Sequence, residues 1–402
     1  MKAGSMDKSN AVRTYDGIVC FGGEDWWYHH RGHYDMQMMR EFSHRVPVLY
    51  VNSLGMRIPA LKEGSVLLKR IAKKIASIRR GLVEERKGFW VFSPIVLPGR
   101  FGRAVSQRFL CLQIRRAVRK LGISKPLAWV ACPPAVKILE DLKPVGVVYQ
   151  RTDRFEEYPY VDHDLIAGFD SRLKSAADLT LYCSTLLYEE EKSECRKALF
   201  VDHGVDFEMF AKAGKGREDE PDDLRNLPRP RVGYIGNLES HRVNPDLILR
   251  VAERLSDHSF FLVGTTALPE GWCTLPNVSL LGPRHYEEVP RYMAAADVLI
   301  MPWQQNEWIR ACNPVKLKEY LAVGRPVVTT PFDELRRYEG FAHTATDAES
   351  FAAAIRSAAE RPDDPERLRS RVEKETWEAK ARTVMERLGD LGFSSSAKRA
   401  SD

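Results

Sequence analysis

The sequence predicts an α/β protein made of two doubly wound parallel-sheet domains. Three observations carry that prediction. Apolar β-type runs recur at helix-sized spacing. Most are apolar at nearly every position, as strands buried on both faces are. A polar stretch rich in charge and proline, residues 211–230, divides them into two series. With 402 residues, 44% of them hydrophobic and 29% charged, the chain can build two sizeable cores.

The first series is GIVCF (17–21), PVLYVN (47–52), FWVFSP (89–94), LAWVAC (127–132), VGVVYQ (145–150), DLTLYC (178–183) and ALFVDHG (198–204). The second is RVGYIG (231–236), SFFLVG (259–264), VSLLG (278–282), DVLIMP (297–302) and PVVTT (326–330), bridged by segments such as the helical NPDLILRVAERL (244–255). The expected division is a first domain over 1–210, a linker over 211–230, a second domain over 231–375, and a helix with a tail over 376–402. The tail after Phe393 is rich in Ser, Lys and Ala and is expected to be disordered. In open parallel sheets ligands bind beyond the carboxyl ends of the strands, so two such domains facing each other form a cleft.

Composition narrows the function classes. No window approaches about 18 uninterrupted apolar residues, so no membrane-spanning helix is expected. The first residues are polar and lack the apolar core of a secretory signal. Seven cysteines, odd in number and never spaced as CxxC, speak against a disulfide framework or a structural zinc, and point to a reducing cytoplasm. The net charge of +6 hides an asymmetry: residues 1–150 hold 26 Lys+Arg against 11 Asp+Glu, so the remainder is acidic. Such a basic half suits an anionic surface or ligand. No nucleic-acid motif accompanies it. Neither first strand leads into GxGxxG, since FGGEDW and IGNLES both lack it, which argues against a dinucleotide-dependent oxidoreductase.

The stretch CNPVKLKEYLAVGRPVV (312–328) is the most informative. Asn313 and Pro314 suit a helix N-cap and first position, and Gly324 with Pro326 suits its end. Lys316 and Glu319 then fall on one face, a turn apart. A cation near a helix N-terminus opposes the macrodipole unless an anion binds there. Free N–H groups with an ammonium suit a diphosphate, and a carboxylate one turn on suits the ribose diol. The alternative is a surface Lys–Glu pair on an ordinary capped helix.

NPVKLKEYLAVGRPVV resembles the donor-nucleotide motif of family 4-like (group 1) glycosyltransferases, and is most similar to the variant in bacterial teichuronic-acid and exopolysaccharide transferases. HGVDFEMF (203–210), RVGYIGNL (231–238) and PNVSLLGPRHYEEVPRYMAAADVLIMPW (276–303) resemble further segments of that family in the same order. FGGEDWWYHHRGHYDMQMMREF (21–42) resembles its acceptor-side loop and helix. The resemblance implies the glycosyltransferase-B fold, two Rossmann-like domains facing a cleft, and no metal or other cofactor. The nucleotide diphosphate sugar is then the donor substrate. Two departures stand out. Ala311 occupies the place, eight residues before Glu319, where many relatives have a glutamate that contacts the donor sugar, and His203 stands where they have asparagine.

The expected donor site is Lys316, Glu319 and Asn313 on the helix, with Gly236, Asn237 and Arg242 in the loop after RVGYIG; Arg242 is otherwise a solvated loop charge. Asp153, just past the strand VGVVYQ, is the expected catalytic base, in a place comparable to the aspartate of related inverting enzymes such as a xanthan glucuronosyltransferase. Its alternative is to cap a helix or to pair with Arg151 or Arg154. On the acceptor side Gly23 permits close approach, Trp26 and Trp27 stack on a sugar, and Arg31 contacts a phosphate. The histidines His29, His30 and His33 lack the carboxylate spacing of a metal site.

Residues 61–87 read as a basic amphipathic helix, with Leu67, Ile71, Ile75, Ile78 and Leu82 as its stripe; 108–120 form a second basic run. Both suit an anionic membrane surface, or else a core-facing helix with a solvated basic back. The expected function is therefore transfer of a sugar from a nucleotide diphosphate sugar to a cell-surface polysaccharide or lipid-linked acceptor. The expected location is the cytoplasm, peripheral to the inner face of the membrane. Rival readings are a sugar-nucleotide epimerase of the same fold and a non-catalytic membrane-surface protein, the latter kept open by Ala311.

Overall fold

The computed structural model describes residues 12–29, 33–55, 64–95, 103–158, 160–216 and 220–396. The chain forms two compact units. The first comprises Met1–Cys183, Leu187–Val201 and Ala381–Asp402; the second comprises Ser184–Leu186 and Asp202–Lys380.

In the first unit the strands are β1 (Arg13–Tyr15), β2 (Gly17–Phe21), β3 (Val48–Val51), β4 (Leu82–Arg86), β5 (Phe89–Phe92), β6 (Pro126–Val130), β7 (Gly146–Arg151), β8 (Leu179–Tyr182) and β9 (Ala198–Phe200). Eight of them form one sheet in the order β4-β5-β3-β2-β6-β7-β8-β9. Only the β4–β5 pair is antiparallel. The chain runs from β2 to β3 on one side and later to β6 on the other, so the order reverses at β2. Strands β2, β3 and β6 are buried along their whole length, which is why they read as continuous apolar runs.

The second unit holds β10 (Arg231–Ile235), β11 (Ser259–Val263), β12 (Val278–Gly282), β13 (Val298–Met301), β14 (Val327–Thr329) and β15 (His343–Thr344). Its sheet is parallel throughout, in the order β12-β11-β10-β13-β14-β15. That is the doubly wound dinucleotide-fold order, and its switch point lies between β10 and β13. The apolar sides of the sheet pack against helices such as Pro245–Arg254, whose N-cap Asn244 accepts from the Leu247 amide at 3.0 Å. The two expected series of strands are therefore present.

Boundaries depart from the expectation. The long polar stretch is not one linker: the helix Phe207–Lys215 occupies its start, and the chain has already entered the second unit at Asp202. Phe207, Phe210 and Ala211 give that helix an apolar face at helical spacing. The chain end is not a separate segment either. The helix Trp377–Asp390 begins in the second unit, and from Ala381 the chain counts with the first. Beyond it β16 (Phe393–Ser395) pairs in parallel with β1, so the start of the expected tail is ordered. Phe393 is held under the Arg13 guanidinium at 3.8 Å, and a Cβ on Gly146 would lie 2.2 Å from its ring.

The basic helix is Gly64–Arg80, shorter than expected; 61–63 lie outside the described residues. Gly81, at φ +63°, breaks it, and Leu82 begins β4. The expected stripe is not its buried face near the C-terminal end. Ser77 is buried there, whereas Ile75 is 46% exposed. The second basic run lies on the helix Arg103–Lys120, which buries Leu110, Ile114 and Ala117 and exposes Phe109 and Leu112. No helix among the described residues is long and apolar enough to cross a membrane.

Candidate functional site

The switch point of the second unit gathers most of the expected donor residues. The helix Val315–Val323 starts there, between the loops that follow β10 and β13. Pro314, in extended conformation, is its N-cap and makes no side-chain capping bond. Asn313 is thus not the cap, as expected, but a buried residue just outside the helix. The end is as the sequence suggests: Gly324 is left-handed at φ +78°, and Arg369 donates to the Val323 carbonyl at 2.9 Å. From Leu317 to Val323 every residue is buried and Lys316 is half-buried, so the pair is no exposed surface pair.

Lys316 points back toward β10. Its Nζ donates to the Tyr234 hydroxyl at 3.3 Å and sits 4.4 Å from the centroid of the Tyr234 ring and 4.8 Å from that of Trp303. The two rings make a cation–π seat. Gly236 makes room for it: at φ +148° its added Cβ would stand 2.2 Å from Nζ. Gly264 does the same one layer down, its Cβ meeting the Gly236 carbonyl oxygen at 2.0 Å. Burial pulls the ammonium down to about 7, against the attraction of Glu319. The Glu319 carboxyl accepts from the Tyr286 hydroxyl at 3.3 Å. Burial pushes it up to about 7, with Lys316 and Tyr286 opposing. The Tyr320 hydroxyl accepts from the Ile235 amide at 3.1 Å and fixes the helix to the end of β10.

The loop after β10 is more tied down than expected. Asn237 Oδ1 accepts from Thr265 at 2.9 Å. Arg242 is not a solvated loop charge: its Nε lies 3.2 Å from Glu239, and its guanidinium stands 4.8 Å from the Trp308 ring centroid. Its cation also disfavours the charge on Lys316. Gly236, Arg242, Lys316 and Glu319 are therefore one electrostatic neighbourhood. Ala311 is buried and brings no carboxylate to this position. Tyr234, Tyr286, Tyr320 and Trp303 were missed from sequence; for Tyr234 and Trp303 an aromatic near the end of a strand was the signal.

In the first unit Asp153 follows β7. Neither alternative for it holds: Arg151 pairs bidentately with Glu156, Arg154 pairs with Glu190, and the short 3-10 turn Phe155–Glu157 is preceded by Arg154 with no side-chain cap. The Asp153 carboxylate accepts instead from the Tyr158 hydroxyl at 2.8 Å. Gly23 donates to Asp35 Oδ2 at 2.9 Å, and Tyr50 donates to the same oxygen at 2.8 Å.

Trp26 and Trp27 require correction. Both are buried, at 3% and 9% exposure. Trp26 packs on Tyr50 and Phe89, while Trp27 donates to Ser93 at 3.2 Å beneath the Arg80 guanidinium. Two large rings beside the end of β2 complete the core there rather than offer a platform. Around them Asn52, Ser77 and Ser93 form a buried polar knot that sequence reading missed. Arg31 and His30 lie outside the described residues.

Comparison with known proteins fits this geometry. Residues 229–361 match the family described as Glycosyl transferases group 1. The chain is 31% identical over 179 residues to TuaH of Bacillus subtilis (strain 168), a protein named for glycosyl transfer in teichuronic acid biosynthesis; the match spans 41% of this chain and 43% of that relative. Among solved structures, sucrose-phosphate synthase from Thermosynechococcus elongatus superposes with a TM-score of 0.68 at 14% identity, covering 94% of this chain and 99% of its own. Anabaena HepE in complex with UDP and glucose gives 0.64 at 15%, covering 93% and 99%. The UDP-forming trehalose-phosphate synthase from Burkholderia vietnamiensis gives 0.62 at 11%, covering 94% and 99%. Segment 229–361 is thus similar to the group 1 glycosyltransferases, the chain spans less than half the length of the curated relative it matches, and by its backbone it has the glycosyltransferase-B fold.

Proposed function

We propose that the chain transfers a sugar from a nucleotide diphosphate sugar to a cell-surface glycan or lipid-linked acceptor. The observation that carries this is half-buried Lys316 beside buried Glu319 at the switch point between β10 and β13. Lys316 and the free N–H groups of the helix Val315–Val323 hold the diphosphate. Glu319 holds the ribose diol. As the glycosidic bond breaks, negative charge grows on the leaving diphosphate, and a positioned ammonium with aligned N–H groups stabilises it more than the bound donor. Arg242 supplies a second cation once the nucleotide competes with Glu239. We assign these side chains the neutralising role without a metal. Asp153, oriented by Tyr158, takes the proton of the acceptor hydroxyl. UDP is the first nucleotide to try, because HepE is known in complex with it.

Thermal shift with UDP, GDP, dTDP, ADP and NAD tests the donor site on wild type and Glu319→Ala. A nucleotide at about 100 times its dissociation constant adds roughly 2.7 kcal/mol. One diphosphate should stabilise the wild type and not the variant. Stabilisation by none of them would refute the reading, and turnover of the donor without acceptor would favour the epimerase.

The exposed apolar side chains Ile75, Phe109 and Leu112 beside basic runs support a peripheral membrane location on the cytoplasmic face. Co-sedimentation with anionic vesicles, reversed by salt, is the expected result. No binding at low salt would remove this part.

A further inference from the structure

The donor helix carries a second lysine whose surroundings differ from those of Lys316. Lys318 is 1% exposed. Its Nζ donates to Asp202 Oδ2 at 2.9 Å, to Glu375 at 3.1 Å and to the His203 carbonyl oxygen. All three donors of the ammonium are thereby used. Asp202 in turn meets Lys380 at 2.6 Å and Arg337 at 3.0 Å. Burial alone would raise the Asp202 carboxyl, but Lys318 and Lys380 hold it well below the ordinary carboxylate range. Asp202 begins the main segment of the second unit and Lys380 ends it, so this cluster joins both ends of that segment to the donor helix.

A buried ion pair is weak evidence for stability, because desolvation offsets the attraction; its best-attested use is to fix register. The helix Val315–Val323 has a register to fix. It is buried on every side from Leu317 onward, so an apolar face alone does not choose its rotation. Two residues along a helix are about 200° apart, which places Lys318 nearly opposite Lys316. The Tyr320–Ile235 bond holds the Lys316 side. The Asp202 bond holds the other. With one pin removed, a turn of about 20° would carry an atom at the helix surface through about 2 Å. A displacement of about 1 Å already weakens a positioned site strongly.

We infer that Lys318, held by Asp202, is a positioning residue that sets the rotation of the donor helix and so the placement of Lys316 and Glu319. The inference rests on the donor reading above. Lys318→Met is the first variant, since it leaves Asp202 paired with Lys380 and Arg337. Asp202→Asn is the second, in case the first does not fold. UDP affinity is measured by calorimetry beside the melting temperature and amide exchange over 315–323. Ile355→Val, in the core of the same unit on the helix Ala348–Glu360, is the control for simple loss of stability.

UDP affinity should fall at least about tenfold in Lys318→Met and Asp202→Asn, with faster exchange in the helix. Ile355→Val should melt lower yet bind UDP as wild type does. If wild type binds UDP and Lys316→Met does not, while both positioning variants bind normally, the inference is wrong and the donor reading stands. If wild type binds no nucleoside diphosphate, the donor reading fails; unchanged exchange over 315–323 in Lys318→Met would then overturn the positioning role as well.

Discussion

The affinity for UDP should fall steeply with alkaline pH, and Lys316 is the reason. Burial in the Tyr234–Trp303 seat pulls its ammonium from 10.5 to about 7 in the free protein. Beside a diphosphate the charged form is restored, so binding above pH 7 takes up a proton. Each pH unit by which the medium exceeds the free-protein value costs about 1.4 kcal/mol. From pH 7.5 to 8.5 the dissociation constant should therefore rise about tenfold. The nucleotide does not confuse this window, because its terminal phosphate finishes titrating near pH 6 to 7 and its uracil N3–H ionises only above it. Calorimetry in buffers of different ionisation enthalpy reads the proton directly: about one taken up per UDP at pH 8.5. Lys316→Met should bind weakly and without this alkaline dependence. A flat affinity in wild type, or the same slope in Lys316→Met, would refute the assignment.

Glu319→Gln should stabilise the free protein selectively. The carboxyl is raised from 4.5 to about 7, so its folded form is disfavoured as pH rises through that window and fully so above it. The variant should gain up to about 3 kcal/mol at pH 8 and under about 1 kcal/mol at pH 5, read as melting temperatures, while losing UDP binding. Equal gains at both pH values would contradict a raised carboxyl. In Gly236→Ala the new methyl meets the flexible tip of Lys316 and the Tyr234 hydroxyl rather than backbone, so the chain should fold, but the ammonium is displaced and UDP affinity should drop about tenfold; the strained φ adds a loss of about 1 kcal/mol in urea unfolding. Asp153→Asn should lower kcat by a factor of about 100 to 10,000 with UDP affinity unchanged, and a full-rate variant would end its role as base. Trp26→Ala should cost about 3–5 kcal/mol in denaturant unfolding. A change in acceptor KM without loss of stability would show that the ring does reach substrate.

Legibility followed locality. The helix Val315–Val323 was readable because Pro314 and Gly324 mark its two ends within one contiguous stretch, and strand order then fixed where its N-terminus points. Lys318 was not readable. A buried lysine looks like a surface lysine until its partner is known, and Asp202 lies 116 residues away. The strand Leu82–Arg86 was absorbed into the preceding helix because LVEER carries no clear period; Gly81 was the signal that the helix had ended. Tryptophans beside paired glycines suggest a stacking platform. What puts them inside is the meeting of β2, β3 and β5, a long-range pairing that the local pattern does not reveal.

The buried charges divide by how completely they are paired, and that division separates support from chemistry. Arg151 in the first unit meets Glu156 twice at 2.8 Å and Glu191 at 3.0 Å, while Lys174 completes the balance through Asp170 at 2.7 Å. Lys318 in the second unit is equally satisfied. Each of these networks lies within two residues of a proposed site group: Arg151 before Asp153, Lys318 between Lys316 and Glu319. Their geometry is saturated, so they have nothing left to offer a substrate and can only hold backbone. Lys316 and Glu319 are the opposite case. Removed from most solvent, with a phenol and two ring faces in place of full counter-ions, they have values drawn toward neutrality from both sides. That arrangement is unfavourable in the free protein, and under the proposed function a ligand with an anion for one and a diol for the other relieves it. The site is thus recognisable by its incomplete pairing, in contrast to the complete pairing directly beneath it.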